Sequence, residues 1–329
     1  MGQSTVRQHF VSAGYLSRFT LGGERDSPFF VFSPDGKPMR QSVPNAVGFE
    51  NHYHDVDVPG FPRDCLEEFF QKYEASACAL FRSLSENPGR TLCSEDEPEA
   101  LAAFVALQAA RIPRAKETYR QLLLRGRQAV LSEMASSPEF FDKAIDAAKR
   151  CGTNVKPADQ LRLLEAIKGG HILPQVSKTE SSIGILRLAH AIADQIDGMH
   201  YSLLYSDGPD WFVCSDYPVA LFFSFATPGN LLDFERIIEW PTLRSFENTI
   251  YMPLAYNVAV AIHRDEGRPM AATADYQMVA RINAMAVALS DRFICSPVSD
   301  FTCFLPDKEL GNAREAVAAL KRLRESEAN

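Results

Sequence analysis

The segment from Asp64 to Glu86 constrains the fold most, because its apolar side chains recur at alternating spacings of three and four residues. These apolar positions are Leu66, Phe69, Phe70, Tyr73, Ala77, Leu80, Phe81 and Leu84. Such a spacing places the side chains along one side of an α-helix. The segment therefore predicts a long amphipathic helix that packs against a core.

Further helical patterns occupy the middle of the chain. A second helix is predicted to begin at Ser94, where Glu97 has the spacing of a capping box, and to kink at Pro113. Three more helices are predicted by "PEFFDKAIDAAKR", "PADQLRLLEAIK" and "SSIGILRLAHAIADQI". A late helix is expected in "TADYQMVARINAMAVALS", and residues 306–329 predict a charged C-terminal helix.

Strand-forming segments lie on both sides of these helices. "FFVFSPDGKPMRQSV" predicts a β-hairpin, because Pro34, Asp35 and Gly36 supply turn geometry between two β-prone runs. "HYSLLY" and "WFVCSD" predict a second hairpin around "SDGPD", and "TIYMPLAYNVAVAIH" and "DRFICSP" predict further strands. We expect an α+β fold: a mostly helical single domain over residues 1–329, with an N-terminal β-hairpin and a C-terminal antiparallel sheet.

Charge and cysteine content limit the classes of function. The chain has 34 basic and 42 acidic residues, a net charge of -8, which does not support charge-driven binding of nucleic acid. Its seven cysteines are an odd number without a CxxC pair, which favours reduced thiols and a cytoplasmic location. Neither a signal peptide nor a run of about 20 apolar residues is present, so we expect no membrane insertion.

Polar residues at apolar positions mark the candidate site. Gln108 lies at the centre of the apolar stripe of the second helix and Arg111 at its margin. An unpaired buried amide costs about 1–3 kcal/mol and an unpaired guanidinium more, so both should have partners on facing elements. Glu74, and with it Glu67, lies on the flank of the first helix's stripe. Glu74 is therefore the predicted partner.

Three residues from other segments extend this set. His9 precedes Phe10, Tyr15, Leu16 and Phe19, and a chain start that buried those side chains would carry His9 inward. Asp216 follows a strand that should be buried, and Asn283 falls within an apolar helical stripe. We expect His9, Glu74 and Asp216 as catalytic residues, and Gln108, Arg111 and Asn283 as substrate-binding residues.

Two metal sites are conceivable. Glu67 and Glu74 could hold a divalent cation, because carboxylates are hard oxygen ligands. The segment "NHYHDVD" carries His52 and His54 at strand spacing, but its polar character favours an exposed loop instead.

Seven motifs together carry a resemblance to a known family. They are "QHFVSAGYLSRF", "VFSPDGK", "LEEFFQKYE", "ALQAARIPR", "SDYPV", "MPLAYNVAV" and "RINAMAV", in that order, over about Gln8 to Pro297. In these motifs the chain resembles a bacterial family catalogued as domain of unknown function 4238. The family pattern usually has a proline three residues after the first histidine, where this chain has Ser12. His9, Gln108, Arg111 and Asp216 match the pattern in kind. The resemblance supports their grouping and implies no activity.

Two functions remain open. The first is a hydrolase, metal-dependent or not, that acts on a phosphate ester or nucleic acid, with His9 as general acid–base and with Arg111 and Gln108 holding the oxyanion. The second is a non-catalytic sensor or interaction module that binds a small anion. In the second case the Glu74–Arg111 pair is an architectural link between two helices.

Overall fold

The computed structural model describes residues 6–153, 156–223 and 248–327. Its main helices follow the predicted segments closely. They are α1 (Ala13–Leu16), α2 (Cys65–Glu86), α3 (Asp96–Arg111), α4 (Pro113–Ser136), α5 (Pro138–Arg150), α6 (Pro157–Lys168), α7 (Lys178–Ile196), α8 (Tyr276–Leu289) and α9 (Ala313–Glu327). Periodicity alone therefore located the helical middle of the chain.

Pro113 separates two helices, where the sequence predicted one kinked helix. Helix α3 ends at Arg111, Ile112 is extended with φ -64° and ψ 151°, and α4 begins at Pro113. The ring of a proline disfavours helical backbone in the residue before it, and proline itself is well suited to begin a helix. Helix α3 also begins at Asp96 instead of the predicted Ser94. Glu97 accepts a hydrogen bond from the backbone N–H of Cys93 at 2.8 Å.

Within the described ranges, the strands form two larger sheets and two small pairs. They are β1 (Arg7–His9), β2 (Phe29–Phe32), β3 (Arg40–Ser42), β4 (Phe49–Asn51), β5 (His200–Tyr205), β6 (Cys214–Ser215), β7 (Ala220–Phe223), β8 (Asn248–Ala255), β9 (Val258–His263), β10 (Ala271–Thr273), β11 (Ile294–Ser296), β12 (Cys303–Phe304) and β13 (Leu310–Gly311). One sheet has the order β10-β5-β9-β8-β7 and the other β3-β2-β11-β6. Strand β1 pairs with β4, and β12 with β13.

The predicted α+β fold is confirmed, with the N-terminal hairpin formed by β2 and β3. The C-terminal sheet is antiparallel except at its edge, where β10 runs parallel to β5.

The second predicted hairpin is wrong, because β5 and β6 belong to different sheets. Both edges of β5 are taken by β9 and β10. Just before β6, the backbone N–H of Phe212 donates to Tyr256 and that of Val213 to the side chain of Asn283. These long-range bonds direct β6 to β11 instead.

The N-terminal segment is part of the core, as predicted. Phe10, Tyr15, Leu16 and Phe19 are all buried in one apolar cluster that also contains side chains of α2, α3, α7 and the large sheet. The Tyr15 hydroxyl donates to the carbonyl of Pro253 in β8 at 2.6 Å. The chain start is thereby fixed against the centre of the large sheet, and His9 is carried inward with it.

The C-terminal helix is shorter than predicted. It begins at Ala313 rather than at residue 306, because Leu310–Gly311 pairs with Cys303–Phe304 before the helix starts. All seven cysteines are free thiols. Among the described residues, none of the helices combines the length and apolar character that a membrane span requires.

Candidate functional site

Arg111 lies at the C-terminal end of α3 because Pro113 ends that helix. Its side chain is 1% exposed, and its backbone carbonyl, which has no helical partner there, accepts a hydrogen bond from the Tyr53 hydroxyl at 3.0 Å. The guanidinium therefore sits at the negative end of the helix dipole, inside the protein.

Gln108 and Glu74 bind the guanidinium. Gln108 Oε1 accepts from Arg111 Nη2 at 2.7 Å and from Nε at 3.2 Å, and Glu74 Oε1 forms an ion pair with Nη1. Gln108 in turn donates to the carbonyl of Phe10 at 2.8 Å. The predicted burial of Gln108 and Arg111 and the predicted pairing of Arg111 with Glu74 are confirmed.

The second oxygen of Glu74 accepts a hydrogen bond from the Ser12 hydroxyl at 2.6 Å. Residues 10–12, α2 and α3 are thus joined by one network, which we call the Arg111 network (Ser12, Glu74, Gln108 and Arg111). Its polar groups satisfy one another, and this arrangement fixes the position of the two helices and the chain start.

Three buried polar atoms near this network have no hydrogen-bond partner among the described residues. They are Nε2 of His9, Oε2 of Glu67 and Nδ1 of His54. Nε2 of His54 lies 3.3 Å from the carbonyl of His9, and a carbonyl only accepts, so the proton is on Nε2 and Nδ1 is an unused acceptor. Buried polar groups are nearly always paired, and each exception suggests a function or a bound molecule.

The same three residues have displaced pKa values. Burial raises the pKa of Glu67 to about 7, the charge of Glu74 raises it further, and Arg111 and the His9 backbone N–H oppose the rise. Burial lowers the pKa of His9 to about 4, with Arg111 adding to the effect and Glu74 opposing it. Burial, then Arg111 and Lys116, lower the pKa of His54 well below its usual range. At neutral pH both imidazoles are uncharged, and Glu67 is poised between its two forms.

Asp216 and Asn283 bind backbone groups in other parts of the fold. The carboxylate of Asp216 accepts from the backbone N–H groups of Asp291, Arg292 and Phe293. Asn283 accepts from the backbone of Val213 and donates to the carbonyls of Trp211 and Thr302. These bonds use their polar atoms to hold loops, and the catalytic role of Asp216 and the substrate-binding role of Asn283 stay predictions.

The proposed metal ligands Glu67 and Glu74 do not present two free carboxylates. Both oxygens of Glu74 are occupied, one by Arg111 and the other by Ser12. Among the described residues, no group of three or more His, Cys, Asp or Glu side chains is arranged to hold a metal ion. We therefore assign no metal to this pair.

Sequence reasoning missed two members of the site. His54 was expected in an exposed loop, but it is fully buried and packs edge-on against Phe70, with ring centroids 4.8 Å apart. Ser12 was noted only as a departure from a proline pattern, although it binds Glu74. Tyr53, next to His54, carried an apolar signal that could have indicated burial of this loop.

A family model described as "Protein of unknown function (DUF4238)" matches residues 7–299. The chain belongs to the DUF4238 family. The match covers the whole Arg111 network, Glu67 and the first strand, so the candidate site lies within the DUF4238 region.

Neither the curated proteins nor the solved structures gave a significant match to the chain. Membership of the DUF4238 family therefore supplies a grouping of residues. The chemistry must be argued from the site itself.

Proposed function

We propose that this DUF4238 protein is a hydrolase, acting on a phosphate ester or a nucleic acid, with Glu67 as its general base. The observation that carries the proposal is the buried, unpaired Oε2 of Glu67, on a carboxylate that accepts from the backbone of His9, a residue whose own Nε2 is also unpaired. Acid–base sites characteristically contain titratable groups whose pKa values are shifted in opposite directions by their surroundings. The proposal differs from the sequence-based hypothesis in giving the proton-accepting role to Glu67 instead of His9.

In this mechanism Glu67 takes a proton from water while the water oxygen forms a bond to phosphorus. The bond from phosphorus to the leaving alcohol breaks, and the alcohol oxygen takes its proton from solvent. A base works best when its pKa lies near the working pH, and burial places the pKa of Glu67 at about 7.

In this proposal His9 does not have the acid–base role that the sequence predicted. Burial lowers the pKa of His9 to about 4, so its ring is neutral and acts as a hydrogen-bonding group that orients water or a substrate oxygen. Arg111 acts through its fixed positive charge, which Gln108 and Glu74 hold in place.

The test is hydrolysis of phosphate monoesters and diesters by the full chain and by Glu67→Gln. We expect the variant to stay folded and to lose about 10²–10⁴-fold in rate, the usual contribution of a general base. Glu68→Gln is the matched control, because Glu68 is the adjacent residue on α2 and is exposed. The parent rate should rise as the pH passes through about 7. Equal rates for the two variants would count against the role of Glu67.

A non-catalytic module that binds a small anion is the second candidate. It is favoured by the Arg111 network, because Arg111 is buried and already held by two protein side chains, as an architectural ion pair would be. In this case Glu67→Gln changes stability alone, and no phosphoester is turned over. We also propose a cytoplasmic location, which the free thiols favour.

A further inference from the structure

A cleft of about 640 Å³ lies beside the Arg111 network, between α1 with its following loop and the C-terminal half of α2. Arg18, Arg25 and Arg82 line it, together with Gly14 and Cys78. Glu24, Asp26 and Glu86 also line it, so its formal charges balance, and its affinity for an anion depends on how each arginine is paired. We call this space the arginine cleft.

Arg18 is the decisive residue, since it is only 8% exposed. Its Nε and Nη2 donate to Ser17 Oγ at 3.3 and 3.0 Å, and Nη2 also donates to the carbonyl of Gly23. All of these acceptors are neutral, and no carboxylate among the described residues comes within ion-pair distance. Burial lowers the pKa of Arg18, and Glu24 and Glu86 oppose this only from beyond that distance. A guanidinium stays charged in proteins, and a buried charge without a counter-ion is costly.

The other two arginines are free to turn towards a ligand. Arg25 is exposed and makes neither an ion pair nor a side-chain hydrogen bond with any residue in the described ranges. Arg82 meets Glu24 at 3.5 Å, but both side chains are more than half exposed, and such pairs contribute at most about 1 kcal/mol. Asp26, a second carboxylate of the cleft, is bound by the amide of Asn45 at 2.8 Å.

Gly14 connects the cleft to the Arg111 network. A Cβ at this position would lie 3.2 Å from Cys78 Sγ, 3.3 Å from Arg25 Nη2 and 3.5 Å from Ser12 Oγ. The absence of a side chain at Gly14 therefore brings the Arg25 guanidinium close to the serine that binds Glu74. The wall of the cleft and the network share this point of contact.

We propose that the arginine cleft is a binding site for an oxyanion of the phosphate class, with Arg18 as its fixed cation and Arg25 and Arg82 closing on the ligand. Guanidinium groups match phosphate oxygens in geometry and charge, and the anion supplies the counter-ion that Arg18 lacks. The shared chemistry is the phosphate group, whether free or carried by a nucleotide. This site does not depend on the role of Glu67.

The experiment is calorimetric titration of the full chain with inorganic phosphate and, separately, with adenosine monophosphate. We expect binding in the millimolar range or tighter. Arg25→Ala and Arg82→Ala should each weaken it about tenfold or more, the scale of one lost charge-assisted hydrogen bond. Arg18→Lys keeps the buried positive charge but loses the planar guanidinium with its several N–H donors. This variant should still fold, and it should bind phosphate more weakly than the parent.

Arg120→Ala is the control, because Arg120 lies on α4, away from the cleft lining, and pairs with Glu117. It should bind phosphate like the parent. Tighter binding of the nucleotide identifies a carried phosphate as the ligand, and equal affinity identifies the free anion. The inference is overturned if neither probe binds the parent, or if Arg25→Ala and Arg82→Ala bind as the parent does.

Discussion

Replacing Glu67 with glutamine should stabilise the folded protein above neutral pH. Burial raises the pKa of Glu67 from its ordinary value of 4.5 to about 7, so folding disfavours the charged carboxylate. The resulting loss in the free energy of unfolding is absent well below pH 4.5, grows between pH 4.5 and 7, and is constant above that range. At about 1.4 kcal/mol for each pH unit, it amounts to about 3 kcal/mol at pH 8 and about 1 kcal/mol at pH 5.

Glutamine removes this charge while keeping an oxygen that can accept from the His9 backbone. The free energy of unfolding, measured by urea titration at pH 5 and pH 8, should therefore show a gain for Glu67→Gln that is larger at pH 8. Glu68→Gln should follow the parent at both values, because Glu68 is exposed. The reasoning is refuted if the two variants show the same pH dependence. If Glu67→Gln is more stable and less active than the parent, the carboxylate is needed for activity although it destabilises the fold.

Two further predictions concern the same cluster. Arg111→Ala leaves the Glu74 carboxylate without its cation and should lower the free energy of unfolding by about 3–5 kcal/mol, the cost of breaking a buried pair; a loss below about 1 kcal/mol in urea titration would contradict an important role for the pair. His9→Gln should protect the fold in acid: burial lowers the pKa of His9 to about 4, so the parent loses up to about 3 kcal/mol between pH 6.5 and 4 as the unfolded chain takes up the proton first. Unfolding curves at pH 7 and pH 4 test this, and an equal acid loss in parent and variant would contradict it.

Local patterns were sufficient to locate most of the helices. The spacing of apolar residues located α2 within a residue at its start, and "PEFFDKAIDAAKR" and "PADQLRLLEAIK" coincide with α5 and α6. The period of a helix is set by neighbours three and four positions apart, so the sequence contains it directly. The same rule placed Gln108 and Arg111 inside the protein, and the cost of unpaired polar groups predicted Glu74 as a partner.

Strand pairing was decided at longer range. The sequence predicted that β5 and β6 would form a hairpin, but a strand pairs with whichever edge is available in the folded sheet. Here the edges of β5 are occupied by β9 and β10, so β6 pairs with β11. No pattern within the segment itself contains that information.

The candidate site divides in the same way. The sequence by itself determined that Gln108 and Arg111 had to be buried, because a hydrophilic residue in an apolar stripe is visible from its neighbours. Only the tertiary structure decided what each polar side chain does: Ser12 and Arg111 occupy the oxygens of Glu74, whereas Oε2 of Glu67 has no partner among the described residues. The physical reason is that hydrogen-bond partners such as Phe10 and Gln108 lie 98 residues apart in the chain, so packing alone brings them together.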